Sequence, residues 1–507
     1  MSASSPLHPR ITLAAAALSF VVVLIDVSVV NVALDALRTS FSTDIAGLQW
    51  VVNAYTLIFA ALLLMAGALG DRFGARAVFI TGFTLFTLAS LGCGLAPTLA
   101  TLVAARLAQG VGAALLVPNS LSLLAQAFPD KEQRNRAVGW WGAAGGIALA
   151  AGPVVGGFLV THLGWRSVFL INIPIGLIGL MLILRYSATS PRNEGRSLDL
   201  PGQATAIVAL ASLATALTDA AHLGWTHPQV LVVLLLTVVS AIGFLLIETR
   251  SRAPMLPLSL FFSPNFSIAS VTGVIVNFAY YGLIFVFSLF FQSEQHLSPQ
   301  ETGMAFLPMT VVLMVANIIA SRLISYVGAR PLMVFGLLLA ATGYLLLLPV
   351  SVSGSYWQLV VPMLMAAGGI ALIVPTITNV TLSSVHPSRA GIASGVLNTA
   401  RQVGGMLGVA MCGYFVRDTA PAAFMHGMHL SLIVAVALLL FGAALSFFCL
   451  TRERCLHRPA ECCCNRQDKS ADVRGCPRQS LFEARPGALG GDPETDDAVT
   501  REPRDQS

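Results

Sequence analysis

Residues 105 to 118 read ARLAQGVGAALLVP, and they set an arginine and a glutamine inside an apolar run of nearly thirty residues. An ionised side chain at the centre of a lipid-spanning helix costs at least ~2.5 kcal/mol, so Arg106 either performs a task or is hidden from lipid. The stretch also has an echo. GVGAALLVP (110–118) aligns with AGGIALIVP (367–375), FGARAVFITG (73–82) with VGARPLMVFG (327–336), and RAVGWWG (136–142) with RAGIASG (389–395), each pair displaced by roughly 254 positions. Self-similarity at one offset is the mark of a duplicated structural unit.

Composition says what kind of unit. Of the 507 residues 56% are hydrophobic and 10% charged, the mean hydropathy is +0.78, and a soluble chain would carry about a quarter charged residues. About 21 of the 29 basic and 24 acidic side chains lie after residue 450, so the body is more apolar still. Hydrophobic stretches long enough for the ~30 Å hydrocarbon core fall at 11–34, 48–69, 77–96, 99–127, 137–160, 167–184, 201–221, 228–247, 265–291, 302–324, 331–350, 358–382, 390–414 and 428–450. This predicts an all-α integral membrane protein of about fourteen spans. Eight spans separate the repeated segments, an even number, so the two copies share one orientation, a parallel repeat about an axis along the membrane normal. The expected domains are a six-helix bundle at 1–195, two additional spans at 196–262, a second six-helix bundle at 263–450 and a disordered tail at 451–507.

The first span is read as retained, because its apolar core runs past Asp26 and Asn31 without a small-residue cleavage site. Even-to-odd connections such as GDRFGAR, PDKEQRNR, RYSATSPRNEGR and ETRSR together carry about 14 basic residues, against about three (Arg38, Arg166, Arg417) on the other side. The positive-inside rule then puts both termini in the cytoplasm and the chain in the cell (inner) membrane. The tail is rich in Arg, Asp, Glu, Pro and Gly and has little to bury. It holds Cys455, the triplet Cys462, Cys463 and Cys464, and Cys476 near His457, a spacing unlike paired C-x-x-C knuckles. Idle reduced thiols are the expectation, with acylation or metal binding as alternatives. Cys93, Cys412 and Cys449 read as small packing residues.

No catalytic constellation competes. The only lysines are Lys131 and Lys469, so no G-x-x-x-x-G-K-[ST] exists, and H-E-x-x-H and G-x-S-x-G are absent as well. The expectation is no enzyme, no catalytic residue, no cofactor, no metal and no nucleic-acid partner; energy comes from an ion gradient, a substrate gradient or a partner.

Six motifs, in order along the chain, resemble the major facilitator superfamily and within it the fourteen-helix drug:proton antiporter branch. GALGDRFGAR (67–76) is similar to the superfamily's loop motif between spans 2 and 3, RLAQGVGAALLVP to its span 4 motif, and AAGPVVGG (150–157) to the antiporter motif of span 5. LIDVSVVNVAL (24–34), GWRSVFLINIPIG (164–176) and RQVGGMLGVA (401–410) are similar to further segments of that branch. ARLAQGVGAALLVPNSLSLL and LPMTVVLMVANII look most like methylenomycin A resistance type exporters. The resemblance implies a proton-coupled antiporter that exports small amphiphilic compounds, antibiotics or toxic metabolites, by alternating access. The chain departs from the pattern at Asp35, where the branch usually has proline, and at Ala77, where the loop motif has a basic residue. Some exporters of dications carry an acidic residue in span 10, and residues 304–323 contain none.

The motif residues also have physical readings. Gly142 with Gly146, and Gly152 with Gly156, form small-xxx-small spacings that let helices approach, Gly157 completes the antiporter motif, and Pro153 removes a backbone hydrogen bond. The functional reading is a bent, tightly packed gate helix; the plain one is close packing alone. In the loop motif Gly67 precedes Asp71, which suits a helix N-terminus, Gly74 suits a tight turn, and Arg72 and Arg76 face the cytoplasm, forming a latch or simply signalling topology.

Asp26 is the only acidic residue well inside a predicted span. At 1.5 Å per residue it lies ~12 Å from the outer end of span 1, and Arg106 ~10 Å from the outer end of span 4. Desolvation favours a neutral acid and a nearby arginine favours the carboxylate, so a shared site can load and release a proton as its geometry changes. Asn31 and Gln109 are the expected neutral neighbours; a static salt bridge that fixes packing is the alternative. Arg401 and Gln402 are a further polar intrusion, contacting substrate or joining the bundles. Tyr55, Phe278, Tyr280 and Tyr281 are candidate aromatic contacts in a mostly apolar cavity lined by spans 1, 4, 5, 9, 12 and 13. The expected partners are a small-molecule substrate, protons and the lipid bilayer, with the monomer as working unit. A dedicated metabolite transporter is the alternative function; a membrane-embedded sensor or enzyme is the more distant one. Because residues 455–507 contain no span, deleting them is expected to leave membrane insertion and transport at full-length levels; a truncated chain that accumulates normally yet transports nothing would refute the idle-tail reading.

Overall fold

The computed structural model describes residues 9–187, 190, 192, 199–251, 254–350, 356–386, 389–418 and 420–450. The expected tail with its cysteines and the boundary at 195–196 lie outside the described residues. Fourteen long helices follow one another: α1 (Pro9–Val32), α2 (Ile45–Phe73), α3 (Ala75–Gly94), α4 (Leu99–Ala127), α5 (Lys131–Leu163), α6 (Ser167–Tyr186, interrupted at Ile171), α7 (Leu200–Leu223), α8 (Pro228–Arg250), α9 (Pro264–Leu289), α10 (Pro299–Val327), α11 (Ala329–Leu346), α12 (Tyr356–Ser383), α13 (Ala390–Phe415) and α14 (Pro421–Cys449). A short helix, Leu34–Phe41, follows α1. No strand occurs among the described residues.

The helices start where side chains satisfy the orphan amides of a first turn. Asp44 accepts from Gly47 N, Asp130 from Gln133 N, and Thr98 with Thr101 and Ser298 with Glu301 form reciprocal capping boxes. Such polar turns extend helices past their apolar windows. α5 begins at Lys131 rather than 137, capped by Asp130 and stiffened by the Arg136–Glu132 pair. Gly74 and Gly328, the same position in FGAR and VGAR, both end a helix with positive φ, 91° and 88°, where a side chain would be strained.

Among the described residues thirteen helices are long and apolar enough to cross a membrane. The exception is α13, 26 residues long but carrying Asn398, Arg401, Gln402 and six glycines. It packs along α9 on one side and α2 on the other, so it needs less lipid-compatible surface than its neighbours.

The packing repeats as the sequence does. In the first half α1 lies on α5 and α6, α2 on α4, and α3 on α4; in the second α9 lies on α13 and α14, α10 on α12, and α11 on α12. The quoted stretch shows why glycine stands at 112. A Cβ there would sit 2.7 Å from Phe86 N, and one on its counterpart Gly369 would sit 2.5 Å from Ala340 N. Bare backbone lets α3 meet α4, and α11 meet α12, at main-chain distance. The halves join where α2 meets α13 and α5 meets α10. α7 and α8 pack on each other; α7 also rests against α2 and α13, while α8 turns Leu231, Val232 and Leu235 outward.

Two glycine replacements separate packing from propensity. Gly112→Ala forces a methyl into backbone and is expected to destabilise by ~1–3 kcal/mol. At Gly142 a Cβ meets nothing within 4 Å, so Gly142→Ala is expected to be neutral or to stabilise by up to ~1 kcal/mol. Thermal unfolding of the detergent-solubilised chain reads both, and equal melting temperatures for the two variants would contradict this packing.

Candidate functional site

Five of the first six helices contribute to one buried polar cluster. Asp26 on α1 and Arg106 on α4 form a direct ion pair through Oδ2 and Nη1, with both side chains essentially inaccessible. Unlike the Asp35–Arg38 and Glu132–Arg136 pairs, this one is buried. The other carboxylate oxygen, Oδ1, accepts from Gln109 Nε2 at 2.9 Å and from Asn172 Nδ2 of α6 at 2.8 Å. Arg106 donates through Nε to the Val51 carbonyl of α2 at 3.0 Å and through Nη1 to Gln109 Oε1 at 2.8 Å. Ser90 on α3 accepts from Gln109 Nε2 at 2.7 Å. The guanidinium lies over the Tyr55 ring, 4.4 Å from its centroid, and 5.8 Å from that of Phe169, an arrangement that stabilises a desolvated cation.

Each element delivers its group for a local reason. Arg106 and Gln109 stand three apart on α4 and therefore share a face. Asn172 opens the second segment of α6, just after the interruption at Ile171. In this geometry three donors meet the carboxylate, which leaves one of its roughly four acceptor positions unfilled.

The other expected residues divide. Asn31 is corrected as a neighbour of this pair: its side-chain amide donates to Val27 O at 3.0 Å, and its backbone carbonyl accepts from Ser288 of α9. It faces instead a small apolar cavity between α1, α5, α9 and α10, which Tyr280 and Tyr281 also line. That cavity is closed to about 10 Å³, room for about one water. Tyr55 does not line it; its ring is occupied by Arg106. Phe278 is buried beside Gly408 and is also absent from it. Arg401 and Gln402 are partly buried on α13. The expected lining by spans 4, 12 and 13 is replaced in this cavity by α10.

The glycines of α5 split as well. A Cβ on Gly152 would overlap Ser28, one on Gly156 would lie 3.1 Å from Val29 backbone, and one on Gly157 would be 2.5 Å from the Pro299 carbonyl. Pro153 packs its own carbonyl against Gly303 of α10. Gly142 and Gly146 do not serve close packing, since nothing lies within 4 Å of a Cβ there. The reason is a separation of the halves. At the end distant from the N-terminus they are tied by Gln49 donating to Val409 O (3.2 Å) and Ala410 O (2.7 Å), and by Gln300 N donating to Thr161 Oγ1 (3.2 Å). Toward the N-terminal end a Cβ on Gly139, Gly142, Gly146 or Gly391 would meet open space, although α2 and α13 still touch at Ala60 and Thr399.

The loop motif is docked within the first half. Arg76 donates through Nη2 to Leu184 O at 2.8 Å and through its backbone to Ser190 Oγ at 3.1 Å, and Ser190 in turn donates to Gln126. Arg72 leans over Phe73, and Gly67 sits 4.0 Å from Pro118 by its missing Cβ. Asp71 is exposed. Cys93 and Cys412 are buried free thiols, whereas Cys449 is exposed. Sequence reasoning missed Ser90 and Asn172. Asn172 carried a signal, an amide inside the apolar run INIPIG; Ser90 carried none, because a helical serine usually bonds its own backbone.

Comparison with known proteins agrees on the fold. Residues 16–409 match the family described as Major Facilitator Superfamily. The chain is 40% identical over 433 residues to the methylenomycin A resistance protein of Streptomyces coelicolor, covering 85% of this chain and 90% of that one. It is 37% identical over 403 residues to the multidrug resistance protein Stp of Mycobacterium tuberculosis, covering 80% and 75%. Among solved structures, a D-xylose–proton symporter aligns with a TM-score of 0.65 at 15% identity, over 87% of this chain and 98% of that one.

The buried pair generates a stability order. Arg106→Gln leaves the carboxylate without its charge partner and is expected to destabilise by ~3–5 kcal/mol, with the double variant Asp26→Asn/Arg106→Gln less damaged. Asn172→Ala, which removes one neutral donor, is expected to cost ~1–3 kcal/mol. Unfolding in detergent of wild type, Asp26→Asn, Arg106→Gln, their double variant and Asn172→Ala measures this, and strict additivity of the two charge substitutions would mean that the pair is not coupled.

Proposed function

Because the chain belongs to the Major Facilitator Superfamily, a family of membrane transporters, we propose that it is a proton-coupled antiporter that exports small amphiphilic compounds, antibiotics or toxic metabolites, by alternating access. The observation that carries the coupling is the Asp26–Arg106 pair, a carboxylate and its cation inside an apolar bundle, which joins α1 to α4 and through further bonds reaches α2 and α6. A tilt of α1, α2, α4 or α6 changes the number of donors facing Asp26. A proton enters when the donors part and leaves when they return. The similarity to a protein of antibiotic resistance and to one of multidrug resistance supports export of drug-like molecules.

The basic residues of the even-to-odd connections support a cytoplasmic location for both termini in the cell (inner) membrane. With that orientation the side of contact between halves, around Gln49 and Ala410, is external, and the side where Gly139, Gly142 and Gly391 meet open space is cytoplasmic. This is the arrangement that takes substrate from the cell. The small cavity at Tyr280 and Tyr281 then marks the external limit of the path. The working unit is a single chain in the bilayer with its substrate and protons, and no step of the cycle involves catalysis, a cofactor, a metal or nucleic acid.

Asp26→Asn keeps size and two of the three hydrogen-bonding directions but holds no proton. It is expected to insert normally and to lose proton-dependent export by about two orders of magnitude, the scale of losing a proton-transfer group. Substrate-induced proton release from reconstituted protein, together with growth inhibition by a panel of unrelated compounds in a pump-deficient bacterium, tests both parts. Wild-type proton release from Asp26→Asn would remove Asp26 from the coupling, and protection against one compound alone would make the chain a dedicated exporter.

A further inference from the structure

Arg401 is the second arginine deep in the bundle, and it lacks what Arg106 has. It stands about 16 Å from the N-terminal end of α13 at 1.5 Å per residue, in the middle of a 26-residue helix. From residue 254 to residue 450 the only acidic residues are Glu294, Glu301 and Asp418, all at the opposite end of the bundle, where Glu301 caps α10. The carboxylate of Asp26 is already taken by Arg106. No carboxylate lies within ion-pair distance of Arg401 among the described residues, and its Nε is buried with no hydrogen-bond partner.

The surroundings are shaped for this side chain. Gly273 of α9 leaves room for its stem, since a Cβ there would be 3.3 Å from Arg401 Cγ. One turn along, Gly405 accommodates the Tyr281 ring, whose Cδ2 would be 2.7 Å from a Cβ at 405. Residues four apart share a helix face, so Arg401 and Tyr281 lie together where α13 meets α9. Tyr281 also lines the closed cavity between the halves. Arg401 itself is only partly buried and lies nearer the open end than Tyr281 does. Its depth keeps it from lipid headgroup phosphates.

We propose that Arg401, with Tyr281 beside it, is the binding site for a carboxylate on an otherwise apolar substrate. The proposal rests on the exporter reading and names the substrate class of that transporter. A guanidinium matches a carboxylate with two parallel hydrogen bonds, and an incoming anion supplies the counterion that the fold withholds. The aromatic wall beside it suits a flat apolar body. A dication finds no free carboxylate here and is disfavoured.

The test uses the full chain, purified in detergent and, in parallel, in inverted membrane vesicles. The probes are 2-naphthoate, 2-naphthamide and 2-naphthylmethylammonium, one scaffold with three charges. Wild type is expected to bind and export naphthoate with at least about tenfold preference over the cation, a difference of about 1.4 kcal/mol. Arg401→Gln is expected to lose that factor for naphthoate while keeping its affinity for naphthamide, which shows that the variant is folded; Arg401→Lys retains part of it. Wild-type naphthoate affinity in Arg401→Gln, or an equal loss for all three probes, overturns the site. If naphthamide is exported and naphthoate is not preferred, the anion site falls and the exporter reading stands. If no probe and no compound of the growth panel is exported, both fall.

Discussion

The ion pair of Asp26 with Arg106 is the contact on which the first half of the molecule is organised. A buried charge is tolerated only when it is paired and its remaining hydrogen-bonding capacity is filled. Filling it here takes the Val51 carbonyl of α2, Ser90 of α3, Gln109 of α4 and Asn172 of α6, in addition to α1. Lipid-solvated helices have no hydrophobic drive to associate with one another, so a polar cluster reaching five helices gives the bundle a register that apolar packing alone would leave loose. The same cluster is what a moving helix would disturb first.

The two halves copy each other's backbone and differ in their charges. Gly82 meets the Gly112 carbonyl in one, and Gly336 meets the Gly369 carbonyl in the other; Gly74 and Gly328 turn with the same sign of φ. Yet the first half pairs its buried arginine with Asp26, and the second leaves Arg401 without a carboxylate partner among the described residues. A duplicated scaffold thus carries an arginine paired with a carboxylate in one half and an arginine free of one, among the described residues, in the other. Glycine is what allows the division, because helices that meet through backbone need no matched side chains in order to pack.

The additional pair α7 and α8 sits beside this machinery. α7 touches α2 and α13, one from each half, through Gln203 donating to the Ala61 carbonyl and through Ala214 between Leu57 and Met406. It therefore lies against the seam that stays in contact toward the open end. α8 presents mostly aliphatic side chains outward, as lipid requires.

Much of the fold was legible in the residues. Hydropathy located the spans because lipid demands some twenty apolar residues per crossing, and the repeat set their relative orientation because an even number of crossings restores direction. The pairing of Asp26 with Arg106 was legible too, since two isolated charges at matched depth have few other partners. Helix ends were less so: capping by Asp130 extends α5 into residues that an apolar window rejects. What only the tertiary structure decided is which faces meet. Asn31 and Gln109 looked alike as neutral amides near the pair, and the rotation of α1 sends Asn31 to α9 while α4 brings Gln109 to Asp26. Gly142 and Gly152 share one spacing pattern, and the separation of the halves leaves the first in open space and presses the second on α1. Sequence spacing determines that residues share a helix face; what that face touches depends on the rotation and tilt of whole helices, which no local stretch encodes.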